Sequence, residues 1–450
     1  MSNAIWLKSP AAMLISPDVD SSAGIVVHDD TIIEIVGAGE RPAHKWDSEV
    51  DLANCVVLPG LINTHHHFYQ TLTRCVPAAM NKALFPWLQT LYPIWKMLDR
   101  EMLAAATELA ALELVLSGAT TVADHHYVFP AGLEDALDVQ VEAVREVGCR
   151  AVLTRGSMSL GESLGGLPPD PIVQSADVIL RDSERVIDAF HDPDPGSMLQ
   201  IALAPCSPFS VSAELMRATA ALAESKDVLL HTHLAETEDE NRFCLEKYGL
   251  RPLDYLDDCN WLHDKTWLAH GIHFNESEID RLGKAGVGIA HCPTSNMLLG
   301  SGICPSIELI EAGCRFGLAV DGSASNDGSN MIQEARQALL QQRLRYGPEK
   351  ITSTDVLNWA TMGSASLLRR DDIGAIRIGM QADLAIFNLD ELRFSGAGDP
   401  LAALIMCGAH RVSRLMIAGK WIVEDATHCR YLDQEIIARH SALAKRLQTA

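Results

Sequence analysis

Histidines at the ends of apolar runs carry most of the chemistry this chain can do. The segment Pro59-Gly60-Leu61-Ile62-Asn63-Thr64-His65-His66-His67 follows the apolar run Cys55-Val56-Val57-Leu58. Side chains alternate along a strand, so His65 and His67 face the same way and can grip one metal ion. His66 must face the other side. Further along, His231-Thr232-His233-Leu234-Ala235-Glu236, Ala269-His270-Gly271 and Val320-Asp321-Gly322 each close an apolar run. Four strand ends that supply His, His, His and Asp can make a zinc or ferrous site with room for a water. His231 and His233 also share a face, and residue type alone does not choose between them. Glu236, three residues past His233, sits where strand gives way to loop. A carboxylate there can reach a metal-bound water without binding the metal.

Such residues need a frame. Apolar runs ending in polar or Gly/Pro residues recur at Val56–His67, Thr120–Tyr127, Arg150–Ser157, Leu199–Ser207, Val228–Glu236, Thr266–His273, Gly286–Ser295 and Arg315–Ser323. Between them lie amphipathic stretches, among them Arg100–Leu116, Leu133–Val147, Ala213–Ser225 and Glu276–Ala285. Alternating strand and helix implies a parallel sheet, and eight such units imply a closed (β/α)8 barrel of the α/β class. An open doubly wound sheet is the alternative, but no GxGxxG follows the first strand. Barrel active sites gather at the C-terminal ends of the strands, where the residues above lie.

The two ends of the chain read differently, as short β-like pieces: Gly24–His28 and Thr31–Val36, then Gly374–Ile378, Ala382–Asn388 and Arg414–Val423. We expect residues 1–58 and 375–450 to build one small β-sandwich beside a barrel of residues 59–374. The Gly/Pro/Ser-rich stretch Ser157–Pro171 reads equally as a lid or as a plain surface loop.

Composition removes several function classes. The chain has 450 residues, with 36 Lys and Arg against 59 Asp and Glu, a net charge of −23. That balance argues against nucleic acid or an anionic membrane as partner. No stretch is long and apolar enough for a membrane span. Residues Met1 to Pro10 lack the basic and apolar regions of a signal peptide. The 11 cysteines are odd in number, scattered and without a CxxC pair, which fits reduced thiols in a cytoplasm. It also excludes the cytidine-deaminase zinc signature.

Five motifs carry a resemblance: Pro59–His67 (PGLINTHHH), His233–Thr237 (HLAET), Leu268–His273 (LAHGIH), His291–Asn296 (HCPTSN) and Ala319–Ser323 (AVDGS). With Gly374–Leu384 (GAIRIGMQADL), they resemble the amidohydrolase superfamily, in its deaminase and chlorohydrolase branch, over nearly the whole chain. The resemblance implies His65, His67, His233 and Asp321 as metal ligands. It implies Glu236 as proton shuttle, His270 as its partner, and Asp321 also as acceptor of the water's proton. The fourth strand, Ile201–Cys206, has no lysine for the bridging carbamate of binuclear relatives. One zinc ion is therefore expected, with iron the alternative. A homodimer is implied by the resemblance alone.

For the substrate, Gln70 offers an amide that suits the edge of a purine or triazine. The stretch His67–Arg74 resembles the 8-oxoguanine deaminases and the hydroxyatrazine-type aminohydrolases grouped with them. Trp87 and Trp95 are either stacking platforms or core aromatics. Tyr127 and Arg155 enter as substrate contacts by strand-end position, and Cys206 as a further contact. Cys292 is weighed in the same way, although a free cysteine is more commonly packed away. Guanine deaminases carry Pro-Arg-Phe on the fourth strand, where this chain has Pro205-Cys206-Ser207-Pro208-Phe209. Nucleoside deaminases of the superfamily place an acidic residue before a tryptophan, where this chain has Phe85-Pro86-Trp87. The first departure argues against guanine and the second for a free base, and with the resemblance of His67–Arg74 the expected reaction is 8-oxoguanine to uric acid and ammonia. An s-triazine amino- or chlorohydrolase and a guanine or isoguanine deaminase are the alternatives. A non-catalytic barrel scaffold is disfavoured because every ligand candidate is retained.

Overall fold

A computed structural model describes residues 4–16 and 18–449. Met1 to Asn3, where the expected β-sandwich begins, lie outside the described residues, as do Pro17 and Ala450. Eight strands form the barrel: β1 (Leu61–Asn63), β2 (Ala119–His126), β3 (Arg150–Ser157), β4 (Leu199–Pro205), β5 (Leu230–Leu234), β6 (Thr266–His270), β7 (Gly288–His291) and β8 (Arg315–Leu318). Each pairs in parallel with the next, in chain order. The seam between β8 and β1 is laced just above the strands: Thr64 N–H donates to Leu318 O at 3.3 Å and Asp321 N–H to His65 O at 3.2 Å. The eight apolar runs thus form the expected barrel. Nearly every residue of these strands is buried, because helices cover the outside and side chains fill the inside.

The first run does not form one strand. Cys55–Pro59 leaves the barrel and pairs antiparallel with Leu384–Asn388 and parallel with Ala12–Met13. The break falls at Gly60, where a Cβ would lie 2.0 Å from Thr120 Oγ1 on β2. Only a glycine lets the two strands approach at this corner.

Two sheets form the sandwich. One has the order Thr31–Val36, Gly24–His28, Ala4–Lys8, Ser48–Asp51. The other runs Thr427–His428, Lys420–Glu424, Arg414–Ile417, Leu384–Asn388, Cys55–Pro59, Ala12–Met13. Ile5, Leu7, Ile25 and Val27 of the first meet Val57, Leu384, Ile386 and Met416 of the second in one buried cluster. Gly374–Ile378, read as β-like from sequence, is irregular. A helix at Asp433–Gln448, not anticipated from sequence, packs on Arg100–Leu116 and on the 3-10 turn Phe68–Thr73. It reaches that turn through His440 Nε2 and Thr71 Oγ1, 3.0 Å apart. Among the described residues no helix is long and apolar enough to cross a membrane. All 11 cysteines are free.

The lower barrel interior is apolar. Ile62, Ala123, Val152, Ala202, Trp267, Ala290 and Ala319 point inward and are plugged from below by Leu367, Leu368 and Ile373. Above this layer the inward side chains become histidines. A dry floor under a polar cluster keeps water out from one side and leaves the upper mouth as the entrance.

Candidate metal centre

His65 and His67 follow β1, and their rings meet edge to face with centroids 4.7 Å apart. His66 turns away to Ser329, its Nε2 2.8 Å from Ser329 Oγ. His67 Nδ1 lies 2.7 Å from His125 O, and His233 Nδ1 lies 2.6 Å from Cys206 O. A carbonyl only accepts, so both Nδ1 atoms carry the proton and both Nε2 atoms present lone pairs. Those two Nε2 atoms lie 3.1 Å apart. Neither can donate to the other. Asp321 Oδ1 lies 3.3 Å from Nε2 of His65 and 3.3 Å from Nε2 of His67. His65 Nε2 is buried and has no hydrogen-bond partner among the described residues. Ligand atoms of His65, His67, His125 and His233 lie within 4.8 Å of one another, as do those of His65, His270 and Asp321, and Asp321 Oδ1 joins the two groups at His65 and His67. Such a set is repulsive by itself and fits a divalent cation, with the neutral imidazoles and ionised carboxylate that zinc takes.

The loops that carry these groups are bent at the strand ends. Ala235, His270 and Asp321 adopt φ of 53°, 75° and 62°, the left-handed region that non-glycine residues rarely enter. Specific bonds hold the bends. Glu240 accepts from Ala235 N at 3.0 Å and from Glu236 N at 2.9 Å. Gly322 N–H donates to Asp321 Oδ1 at 2.6 Å, and Ser325 Oγ lies 3.2 Å from Asp321 Oδ2. Glu240 is wholly buried, and burial pushes its carboxyl up to about 7 against the two amide bonds. Glu240→Ala would leave two buried amides unpaired beneath the bend. We expect it to cost about 2–5 kcal/mol of stability, with a fall in turnover as Glu236 loosens. A urea midpoint within experimental error of wild type would refute this role.

Glu236 and His270 face each other, with His270 Nε2 3.6 Å from Glu236 Oε2. His270 Nδ1 lies 2.9 Å from Asn296 Oδ1, so the ring donates there and keeps its Nε2 lone pair toward Glu236. Burial first, and the Asp321 carboxylate second, push the Glu236 carboxyl well above its ordinary 4.5. Both effects favour the protonated carboxyl, the form a general acid needs.

A pocket opens onto the cluster, lined by Gln70, Trp87, Tyr127, Cys206, Glu236 and His270 among others. Gln70 Oε1 accepts from Ala324 N at 3.3 Å, and Trp87 Nε1–H donates to Ala324 O at 3.1 Å. The close approach of Gln70 requires Gly322, where a Cβ would lie 2.0 Å from Gln70 Oε1. Burial raises the Cys206 thiol to about 12, so it lines the wall as a neutral group.

Two expected substrate contacts lie elsewhere. Trp95 is buried behind Trp87, its ring 5.6 Å from that ring and its Nε1–H donating to Thr73 Oγ1 at 3.1 Å. Arg155 pairs in register with His126 and Leu203, which sets it on the outer face of β3. There it covers Phe129 at 3.8 Å and pairs with Asp182 at 2.7 Å. Strand-end position was right for Arg155, but the parity of the strand aims it at the helices. Cys292 packs in the barrel interior, its Sγ 3.5 Å from Ala290 O.

Sequence reasoning passed over His125, Asn296 and Glu240. His125 stacks on His233 with centroids 4.7 Å apart and 23° between planes. Its Nε2 lies 2.8 Å from Ala204 O, and its Nδ1 is buried without a partner. His125 thus packs against His233 within the cluster, where one ligand atom of each of His65, His67, His125 and His233 lies within 4.8 Å of the others. The pair His125-His126 at the end of β2 was the available signal.

Comparison with known proteins agrees with this site. The model of the amidohydrolase family matches residues 56–422. The chain is 59% identical over 443 residues to the 8-oxoguanine deaminase of Pseudomonas aeruginosa, covering 98% of each. It is 36% identical to the hydroxydechloroatrazine ethylaminohydrolase of Pseudomonas sp. strain ADP, over 78% of this chain and 75% of that one. Among solved structures, the zinc complex of atrazine chlorohydrolase from Arthrobacter aurescens TC1 superimposes with a TM-score of 0.90 at 31% identity, over 98% of this chain and 99% of that one. With barrel, convergent ligand cluster and whole-length similarity in agreement, the chain belongs to the amidohydrolase family.

Proposed function

We propose that this chain is a hydrolase that breaks the exocyclic C–N bond of 8-oxoguanine, giving uric acid and ammonia, with one zinc ion held by His65, His67, His233 and Asp321. The observation that carries the reading is one pocket joining a convergent ligand cluster to the buried carboxyl of Glu236, whose burial favours its protonated form. The whole-length relative at 59% identity supports the choice of base. When bound, the cation supplies Lewis-acid chemistry and brings the pKa of water into the neutral range.

The chain's own groups do the rest. Glu236 protonates a ring nitrogen beside the amine-bearing carbon, which makes that carbon electron-poor. Water adds to the carbon while the Asp321 carboxylate accepts its proton. The C–N bond then breaks, the amine leaves as ammonia with the proton returned through Asp321 or Glu236, and a carbonyl takes its place. His270 keeps an acceptor toward Glu236 and so holds the carboxyl in line. The amide oxygen of Gln70 is engaged by Ala324 N–H, so its NH2 is left for a ring carbonyl, of which 8-oxoguanine has one more than guanine.

Ammonia release should be measured from 8-oxoguanine, guanine, isoguanine and a hydroxy-s-triazine with zinc-loaded protein. We expect 8-oxoguanine to lead guanine by about 100-fold in kcat/KM, since an unpaired buried polar group costs about 1–3 kcal/mol. If the triazine leads, the metal chemistry stands and the purine reading is lost.

A further inference from the structure

We propose that His231, outside the ligand set, fixes the tautomer of His65 and so makes His65 Nε2 available to a cation; this rests on the metal reading above. The three imidazoles differ in what their Nδ1 atoms meet. His67 and His233 each give their Nδ1 proton to a backbone carbonyl, of His125 and Cys206. His65 has no carbonyl there. Its Nδ1 lies 2.7 Å from Nε2 of His231.

A bond between two imidazoles leaves the proton undecided unless something orients the second ring. The other end of His231 does so. Its Nδ1 lies 2.9 Å from Trp267 O, which accepts only. His231 Nδ1 therefore carries a proton, its Nε2 is the acceptor, and His65 Nδ1 must donate. One proton remains on each ring, and Nε2 of His65 is left bare, in agreement with its lack of any partner. In effect His231 carries the accepting power of the Trp267 carbonyl across the barrel, from the β5–β6 side to the end of β1.

The relay is held rigidly. His231 and Trp267 are partners in the β5–β6 register and stack with centroids 4.3 Å apart and 16° between planes. Trp267 Nε1–H in turn donates to Thr64 O at 3.1 Å, one residue before His65. Thr64, His65, His231 and Trp267 thus close a ring of contacts, and His231 cannot swing its acceptor away without breaking a stack and two hydrogen bonds. Partners of this sort, which fix a ligand's tautomer, are typically worth 10–100-fold in metal affinity.

The test compares His231→Leu with His231→Gln in zinc competition against a chromophoric chelator. A glutamine can accept from His65 Nδ1–H with Oε1 and donate to Trp267 O with Nε2. A leucine fills the space and does neither. We expect His231→Leu to bind zinc 10–100-fold more weakly and His231→Gln to stay within a few-fold of wild type. Equal affinity in all three proteins overturns the proposal and leaves the metal reading intact. Equal loss in both variants also overturns it, because packing alone then explains the residue. Wild type that binds no zinc overturns both readings. A further measurement does not depend on either variant folding. In zinc-loaded wild type, 15N spectra should show His65 Nδ1 and His231 Nδ1 protonated and His231 Nε2 bare; a proton on His231 Nε2 overturns the relay.

Discussion

Glu236→Gln should keep its zinc and lose turnover by about 10³-fold, within the range that a positioned acid–base group supplies. The substitution is nearly isosteric. It keeps the backbone amide that Glu240 holds at 2.9 Å and leaves His65, His67, His233 and Asp321 untouched. What it removes is the carboxyl whose protonated form burial and Asp321 favour. An amide can donate a hydrogen bond to a ring nitrogen but cannot pass it a proton. The loss should therefore fall on kcat, with KM changed little. Metal content by elemental analysis and steady-state ammonia release decide the matter. Turnover within tenfold of wild type would remove Glu236 as the acid.

Asp321→Asn should do more, because it strikes the metal and the chemistry together. Asp321 is the one charged member of the convergent cluster, and its Oδ1 lies 3.3 Å from Nε2 of both His65 and His67. Without that charge, neutral imidazoles alone must hold a divalent cation in a buried site. The acceptor for the water's proton is lost in the same step. We expect zinc to be lost to a chelator that wild type resists, and turnover to fall by about 10⁴-fold or more. The fold should survive, since Asp321 N–H to His65 O is a backbone bond at the seam and does not depend on the side chain. Stoichiometric zinc after the same chelator treatment would show that the carboxylate is not a ligand. The two variants together separate the roles: Glu236→Gln keeps metal without turnover, and Asp321→Asn loses both.

The sequence determined the barrel, the side of it that bears chemistry and the residue types there, because strand and helix periods are local and strand ends must lie at one mouth in a parallel barrel. It also set the face on which His65 and His67 lie, since alternation fixes facing within one strand. It did not set depth. His231 and His233 share a face, and only stacking of β5 on β6 put His231 beside Trp267, one level below the cluster. Nor did it set handedness at a strand end. Arg155 ends an apolar run as His125 does, but its register with His126 turns it outward. Trp87 and Trp95 look alike in a helical stretch, yet one bonds to Ala324 beside the pocket and the other to Thr73 behind it. Glu240 and Asn296 are ordinary polar residues in the sequence. They gain meaning only when the bent ends of β5 and β6 bring backbone amides and an imidazole against them. Depth, outward or inward turn, and the proton each histidine carries depend on contacts between segments far apart in the chain, and those the tertiary structure alone decided.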